Sequence, residues 1–233
     1  MINGKRVLVI MPAWNEAESI AEVITEVRGE LPGVDILVVD DGSSDNTAAK
    51  AAGAGAVVAK LPYNLGVGGA MRTGYRYARD HDYDVAIQVD ADGQHDPRYV
   101  PKLVDALDDH DLVIGARFAG IGDYTVKGPR KWAMRMLSAV ISRLAKAPLT
   151  DTTSGFRACN RKLIEFFAHW YPAEYLGDTI EVLVRVARSG YKVTQIPTAM
   201  RTRMAGTPSQ SSMKATLYLG RAAVILALAL IRV

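Results

Sequence analysis

The chain has a single cysteine, Cys159, among its 233 residues. An intrachain disulfide is therefore excluded, which fits a reducing compartment. The N-terminal stretch MINGKRVLVIMPAWNE lacks the apolar h-region and small-residue cleavage site of a secretory signal. No G-x-x-x-x-G-K-[ST] occurs. NLGVGGAMRTG (64–74) lacks the G-x-G-x-x-G spacing and has no strand directly before it, which excludes a dinucleotide fingerprint. It reads instead as a turn and a close-packed helix start. The apolar run AAVILALALI (222–231) is ten residues long, whereas a bilayer-spanning helix needs about 20. There is no internal repeat and no low-complexity tract.

What is present is ample for a core: 49% of residues are hydrophobic and 23% charged. The net charge of +3 conceals an asymmetry. Residues 1–116 carry 10 Lys and Arg against 19 Asp and Glu, and residues 117–233 carry 18 against 6. An acidic half and a basic half suit holding a cation and meeting anions. Two differently solvated surfaces would give the same count.

Apolar runs alternate with helical patterns. RVLVIM (6–11), VDILVVD (34–40), AVVAK (56–60), DVAIQVD (84–90) and DLVIGAR (111–117) read as buried strands. Between the first two, Ile20, Val23, Ile24 and Val27 recur at helical spacing. GGAMRTGYRYARDH and DPRYVPKLVDALDD read as further helices. This alternation predicts an α/β fold, an open and mostly parallel sheet with helices on both faces, and ligands bind beyond the carboxyl ends of such strands. The alternation stops after Arg117. Residues 131–147 predict a basic amphipathic helix, with Lys131, Arg135, Ser138, Ser142 and Lys146 on one face and Trp132, Met136, Val140 and Leu144 on another. Helices near 160–169 and 178–189, a strand at YKVTQIP (191–197), a loop over 198–212 and a C-terminal apolar helix (213–233) complete the reading.

The strand ends carry the chemistry. In IQVDADGQHD (87–96), Asp90 and Asp92 sit at i and i+2, which at a strand end points both carboxylates to one side. Two bare carboxylates that close repel. A divalent cation removes the conflict, since Mg²⁺ or Mn²⁺ takes one or two carboxylates plus substrate phosphates. Gln94 offers a neutral oxygen, and Asp96 caps the helix that Pro97 opens. The second strand also ends in acids, VVDDGSSDNT (38–47), where SDNT reads as a helix start. In the first, MPAWNEAES, Pro12 is expected to stop the strand and Asn15-Glu16 to start a helix. His95 fits a supporting or solvated role rather than ligation, and Cys159 a packed core thiol.

Together MPAWNEAESI, VVDDGSSDNT, NLGVGGAMRTG, VDADGQHDP and TSGFRA resemble glycosyltransferase family 2, in order, over about residues 5–210. Within it the chain is similar to the branch that makes polyprenyl-phosphate sugars, such as dolichyl-phosphate mannose or undecaprenyl-phosphate glucose. The resemblance implies a GT-A fold, a UDP- or GDP-hexose donor, Mg²⁺ or Mn²⁺, inversion at the anomeric carbon and a polyprenyl phosphate acceptor. It implies that Pro12, Ala13, Asn15, Glu16, Asp40 and Asp41 meet the nucleoside. Asp90, Ala91, Asp92 and Gln94 would meet the metal and diphosphate, Asp92 with a catalytic part. Arg117 in GARF matches an arginine near the diphosphate. Arg203 and Ser209 in RTRMAGTPSQ resemble a donor-closing R-x-x-G-x-S loop, from which the intervening TP departs. Arg130, Arg135, Ser154 and Arg157 are candidates for the lipid phosphate.

The same resemblance divides the chain into a nucleotide-sugar half (1–117), an acceptor half of the same domain (118–212) and the apolar helix (213–233). It places the protein at the cytoplasmic membrane face, as a peripheral protein and a possible homo-oligomer, with no nucleic-acid partner. Many members acting on sugar hydroxyls carry an aspartate base in an E-D pair and a later Q-x-x-R-W, and neither appears here. A hydroxyl nucleophile needs a base. A phosphate monoester is mostly a dianion at pH 7 and does not. Asp178 or Glu181 in GDTIE (177–181) remains the alternative, as a base for a hydroxyl acceptor. A catalytically silent sugar-nucleotide-binding module is the alternative outside enzymes.

Overall fold

The computed structural model describes residues 1–117, 129–172 and 177–204. Of residues 129–135 and 177–178 the backbone alone is described. The strands are β1 (Val7–Ala13), β2 (Asp35–Asp40), β3 (Val57–Lys60), β4 (Val85–Gln88), β5 (Leu112–Ala116), β6 (Arg157–Asn160) and β7 (Val193–Pro197). They form one seven-stranded sheet in the order β3-β2-β1-β4-β6-β5-β7. Every pairing is parallel except those of β6, which runs antiparallel to β4 and β5. The mixed α/β sheet expected from the alternation is thus present, and it takes strands from both sides of residue 117.

Side chains alternate across a strand, so each strand feeds two cores. Leu8, Ile10, Leu37 and Val39 enter one cluster, with Met71, Tyr75, Phe167 and Leu183. Val7, Val9, Met11 and Val38 enter the other, with Ile20, Val23, Ile24 and Leu103. The helices α1 (Ile20–Glu30), α2 (Thr47–Gly53), α3 (Val67–Asp80), α4 (Val100–Asp105), α5 (Pro129–Ala145), α6 (Arg161–His169) and α7 (Val182–Arg188) cover these faces. Burial on both faces explains why the strands read as continuous apolar runs.

Four expectations need correction. First, β1 continues through Pro12 to Ala13, opposite Val39 and Asp40. Proline removes one donor but keeps an extended φ and its carbonyl, so pairing persists. Second, α1 begins at Ile20 rather than at Asn15-Glu16, because Asn15 has φ +54° and Ser19 is the residue before the first helical turn. Third, RACN is a strand inserted antiparallel between β4 and β5, where no strand was expected. Fourth, α5 buries Leu137 and Ile141, whereas Met136 is half exposed. Ser142 lies towards the core-side turn, where its hydroxyl accepts from Leu149 N at 2.9 Å. The expected helix near 178–189 opens as one π-helical turn, Gly177–Glu181, before α7. The C-terminal helix (213–233) and Ser209 lie outside the described residues. Among those described, no helix is long and apolar enough to cross a membrane.

Candidate functional site

A cavity of about 550 Å³ opens where β1, β2 and β4 end. Parallel strands leave a crevice at their carboxyl edge, and here the chain turns away in three successive acid-bearing loops. Pro12, Ala13, Trp14 and Glu16 line it from β1, Asp41 from β2, and Gln88, Asp90, Ala91 and Asp92 from β4. Asn64, Gly66 and Val67 at the start of α3 form one side. Thr153, Gly155, Thr179 and Arg203 form the other.

The loops are shaped by side-chain bonds to backbone. Asn15 Oδ1 accepts from Ser44 N at 2.9 Å, and Thr47 Oγ1 accepts from Glu16 N at 2.9 Å, which ties the β1 loop to the β2 loop. Asp45 Oδ1 accepts from Thr47 N at 3.0 Å and starts α2, as SDNT predicts. Asp41 Oδ1 accepts from Leu65 N at 2.7 Å and holds the entrance to α3. Burial raises the Asp41 carboxyl above its ordinary range, against those backbone donors. Asp40 lies behind the wall and is fully buried. Its Oδ1 accepts from Ser43 N at 3.0 Å, and its Oδ2 has no partner among the described residues.

The β4 loop is a tight ring. Asp92 Oδ1 accepts from Gln94 N at 2.9 Å, and Asp96 Oδ1 accepts from Arg98 N at 3.0 Å, the cap expected before Pro97. His95 is buried, and its Nδ1 accepts from Asp90 N at 3.0 Å. It therefore supports the loop and is not solvated. Gln94 is brought close to Arg201, with Nε2 3.5 Å from the Arg201 carbonyl, and it does not line the cavity.

The segment 200–204 lies along this ring. Arg201 N donates to Gln94 O at 3.1 Å and Met204 N to Asp92 O at 3.0 Å. Arg201 pairs with Glu26 and, at 2.8 Å, with Asp96. Arg203 pairs with Glu16 at 3.2 Å and Asp92 at 2.9 Å. Burial raises the Glu16 carboxyl above its ordinary range, with Arg203 pulling the other way. Gly93, with φ +76°, faces this segment. A Cβ there would lie 2.2 Å from Met204 Sδ, so a side chain at 93 would push the thioether aside, and the positive φ itself favours glycine.

Other expected residues are placed differently. Arg117 grips Asp151 through Nε at 2.6 Å and Nη2 at 2.9 Å, with Thr153 Oγ1 at 2.7 Å from Nη2. Asp151 is fully buried, and burial alone would raise its carboxyl, yet Arg117 holds it below the ordinary range. Arg117 thus braces the turn that presents Thr153 rather than lining the cavity. Arg157 is buried and donates to the carbonyls of Ser154, Thr179 and Thr152 at 2.8, 3.3 and 3.1 Å. Ser154 Oγ accepts from Phe156 N at 3.2 Å and is likewise buried. The side chains of Arg130, Arg135 and Asp178 lie outside the described residues. Cys159 is buried, as expected, and burial pushes its thiol well up.

Trp14, Asn64, Gln88, Gly155 and Thr179 on the wall and Asp151 behind it join the site only in the fold. Of these, Trp14 alone has a signal in the sequence, as a large aromatic in the strand-end loop of Glu16.

The sequence profile of Glycosyl transferase family 2 matches residues 8–167. Undecaprenyl-phosphate mannosyltransferase of Micrococcus luteus is 33% identical over 218 residues, 88% of each chain. Polyprenol monophosphomannose synthase of Mycolicibacterium smegmatis is 31% identical, over 89% of this chain and 82% of that protein. Among solved structures, glucosyl-3-phosphoglycerate synthase from Mycobacterium tuberculosis with Mn²⁺, UDP and phosphoglyceric acid aligns with a TM-score of 0.73 at 22% identity. It covers 97% of this chain and 78% of that one. A Pyrobaculum calidifontis mannosyltransferase with GDP-Man and Mn²⁺ gives 0.71 at 22% identity, over 98% and 65%. At such identity these two speak to the fold, which is GT-A. The matched residues 8–167 supply every wall of the cavity except Thr179 and Arg203, and so the chain belongs to glycosyltransferase family 2 and is a glycosyltransferase.

Proposed function

We propose that the protein moves a hexose from a UDP- or GDP-sugar to a polyprenyl phosphate, with a divalent cation and inversion at the anomeric carbon. The observation that carries this reading is the pair Asp90 and Asp92 on the wall of the cavity, with a guanidinium already set against Asp92. The relatives named for undecaprenyl-phosphate mannose and polyprenol monophosphomannose support the acceptor class.

The donor set fits Mg²⁺ or Mn²⁺. Two carboxylates stand together, and Asp92 has drawn in a cation from elsewhere in the chain. Among the described residues no group of three or more His, Cys, Asp or Glu closes a cage. Such hard cations are usually completed by substrate phosphates and water. Asp90 and Asp92 would hold the ion, which supplies charge neutralisation for the departing diphosphate.

The chain's own residues do the remainder. Asp41 and the Pro12–Glu16 loop hold the nucleoside end of the donor. Arg203 supplies positive charge beside the diphosphate. The acceptor's phosphate oxygen attacks the anomeric carbon from the face opposite the leaving group. One C–O bond forms, the bond to the diphosphate breaks, and its electron pair leaves with the nucleotide. No proton has to be removed from the acceptor dianion. Such an acceptor implies a peripheral position at the cytoplasmic face of a membrane.

A hydroxyl acceptor is the second reading, because Thr179 brings the Gly177–Glu181 turn to the cavity wall. Asp178 or Glu181 would then be the base.

The test is calorimetric titration of UDP, GDP and their sugar conjugates with Mn²⁺ and with chelator. The reading expects Mn²⁺-dependent binding of one base, lost in Asp92→Ala with the fold intact. Equal affinity in Asp92→Ala would refute the metal assignment.

A further inference from the structure

Asp90 is gripped from behind the cavity. Its backbone N–H donates to His95 Nδ1 at 3.0 Å, which closes residues 90–95 into a ring. A nitrogen that accepts cannot carry the proton, so the neutral ring has its hydrogen on Nε2. Nε2 stands 3.7 Å from Asp90 Oδ2, an electrostatic approach beyond hydrogen-bond length. The imidazole cannot swing away. It is 4% exposed and stacks on Phe156, with centroids 4.8 Å apart and planes 13° apart.

The other carboxylate oxygen has its own holder. Gln88 Nε2 donates to Asp90 Oδ1 at 2.9 Å, and Gln88 is 5% exposed. Gly155 makes room for this contact. A Cβ at 155 would fall 2.8 Å from Gln88 Nε2 and 3.4 Å from Asp90 Oδ2. Gln88 ends β4 opposite Arg157 of β6, and Phe156 directly precedes that strand, so the amide that holds Asp90 and the ring that holds His95 come from neighbouring segments of the sheet. A buried amide and a buried imidazole on one acid are more than a turn requires.

We propose that His95 and Gln88 are positioning residues, which fix the backbone and carboxylate of Asp90 so that it presents to a cation bound with the nucleotide diphosphate. This rests on the reading of Asp90 as a cation ligand. In this role neither residue would itself be a ligand of the ion. Groups that orient ligands in this way typically change metal affinity by about 10–100-fold when removed.

The experiment titrates Mn²⁺ into the protein with its nucleoside diphosphate and reads free Mn²⁺ by electron paramagnetic resonance. His95→Phe keeps a ring to stack on Phe156 but removes both nitrogens. Gln88→Met keeps the volume but removes the donor. His95→Asn restores an acceptor near the Nδ1 position. We expect His95→Phe and Gln88→Met to weaken Mn²⁺ binding about 10-fold or more, with His95→Asn recovering most of the loss. Thermal unfolding shows which variants are folded, and if His95→Phe is not, Gln88→Met and Gly155→Ala carry the test. Wild-type Mn²⁺ affinity in the folded variants, while Asp90→Asn loses it, would overturn the positioning role alone. An Asp90→Asn variant that binds Mn²⁺ like the wild type would overturn the ligand reading and this inference with it. A His95→Asn variant as weak as His95→Phe would also count against the role.

Discussion

Arg203 holds two acids of the cavity at once, with Nη1 3.2 Å from Glu16 Oε1 and Nη2 2.9 Å from Asp92 Oδ2. One guanidinium therefore joins the β1 loop to the β4 loop from a segment more than a hundred residues away in sequence. In the proposed function it would offset the two acids before a donor arrives and the diphosphate afterwards. Arg203→Gln should have opposite effects on two measurements. Without nucleotide, Mn²⁺ should bind several-fold more tightly, because the guanidinium no longer competes for Asp92. Sugar transfer should fall by about 10-fold or more, since a hydrogen bond to a charged group is worth ~1.5–3 kcal/mol. Calorimetry and steady-state rates check the two halves separately.

Gly93 controls how closely the 200–204 segment rests on the β4 loop. In Gly93→Ala the Met204 thioether can turn aside, but φ +76° remains. An alanine held there destabilises by about 1 kcal/mol or more. We expect a lower Tm and faster tryptic cleavage after Arg201 and Arg203, both read on a single digestion series.

Asp151 and Arg117 make a two-toothed ion pair behind Thr153. Removing one partner of a buried pair costs about 3 kcal/mol or more. Asp151→Asn should therefore lower Tm clearly at neutral pH. The pH dependence has a definite sign. Burial opposes the charge, yet Arg117 holds the folded carboxyl below the ordinary aspartate value of 3.8. Its stabilisation is then fully present above that value and is lost as pH falls through the lower folded one. The gap in Tm between wild type and Asp151→Asn should stay constant at neutral pH and close only in strong acid.

These contacts also show what a sequence can and cannot convey. The strands β1, β2, β4 and β5 were legible because burial on both faces makes them continuous apolar runs. The acids after β1, β2 and β4 located the cavity, because charges at the end of a buried run mark where the chain leaves the core. β6 was not legible, because it opens with Arg157, a residue type that is rarely buried, and has only Ala158 and Cys159 as an apolar run. Its guanidinium is satisfied by three backbone carbonyls that no linear pattern reveals. On the apolar face expected for α5, Val140 and Leu144 do pack against the core, but the buried positions are the adjacent Leu137 and Ile141, and Met136 is half exposed. GARF matches an arginine near the diphosphate, and the partner that the structure gives Arg117, Asp151, lies 34 positions later and is invisible from that motif alone. The pairing of Met204 with Gly93 was hidden by a still longer separation.

Transfer to a lipid phosphate is tested most directly by product formation. The 233-residue chain would be incubated with Mn²⁺, a labelled UDP- or GDP-hexose and vesicles carrying undecaprenyl phosphate, with Asp92→Ala in parallel. We expect the wild type to form a labelled glycolipid that is labile to mild acid and whose intact sugar–phosphate bond has inverted anomeric configuration, with formation abolished by chelator and by Asp92→Ala. Transfer to a hydroxyl acceptor with no labelled phospholipid product, or an undiminished rate with chelator, would contradict it.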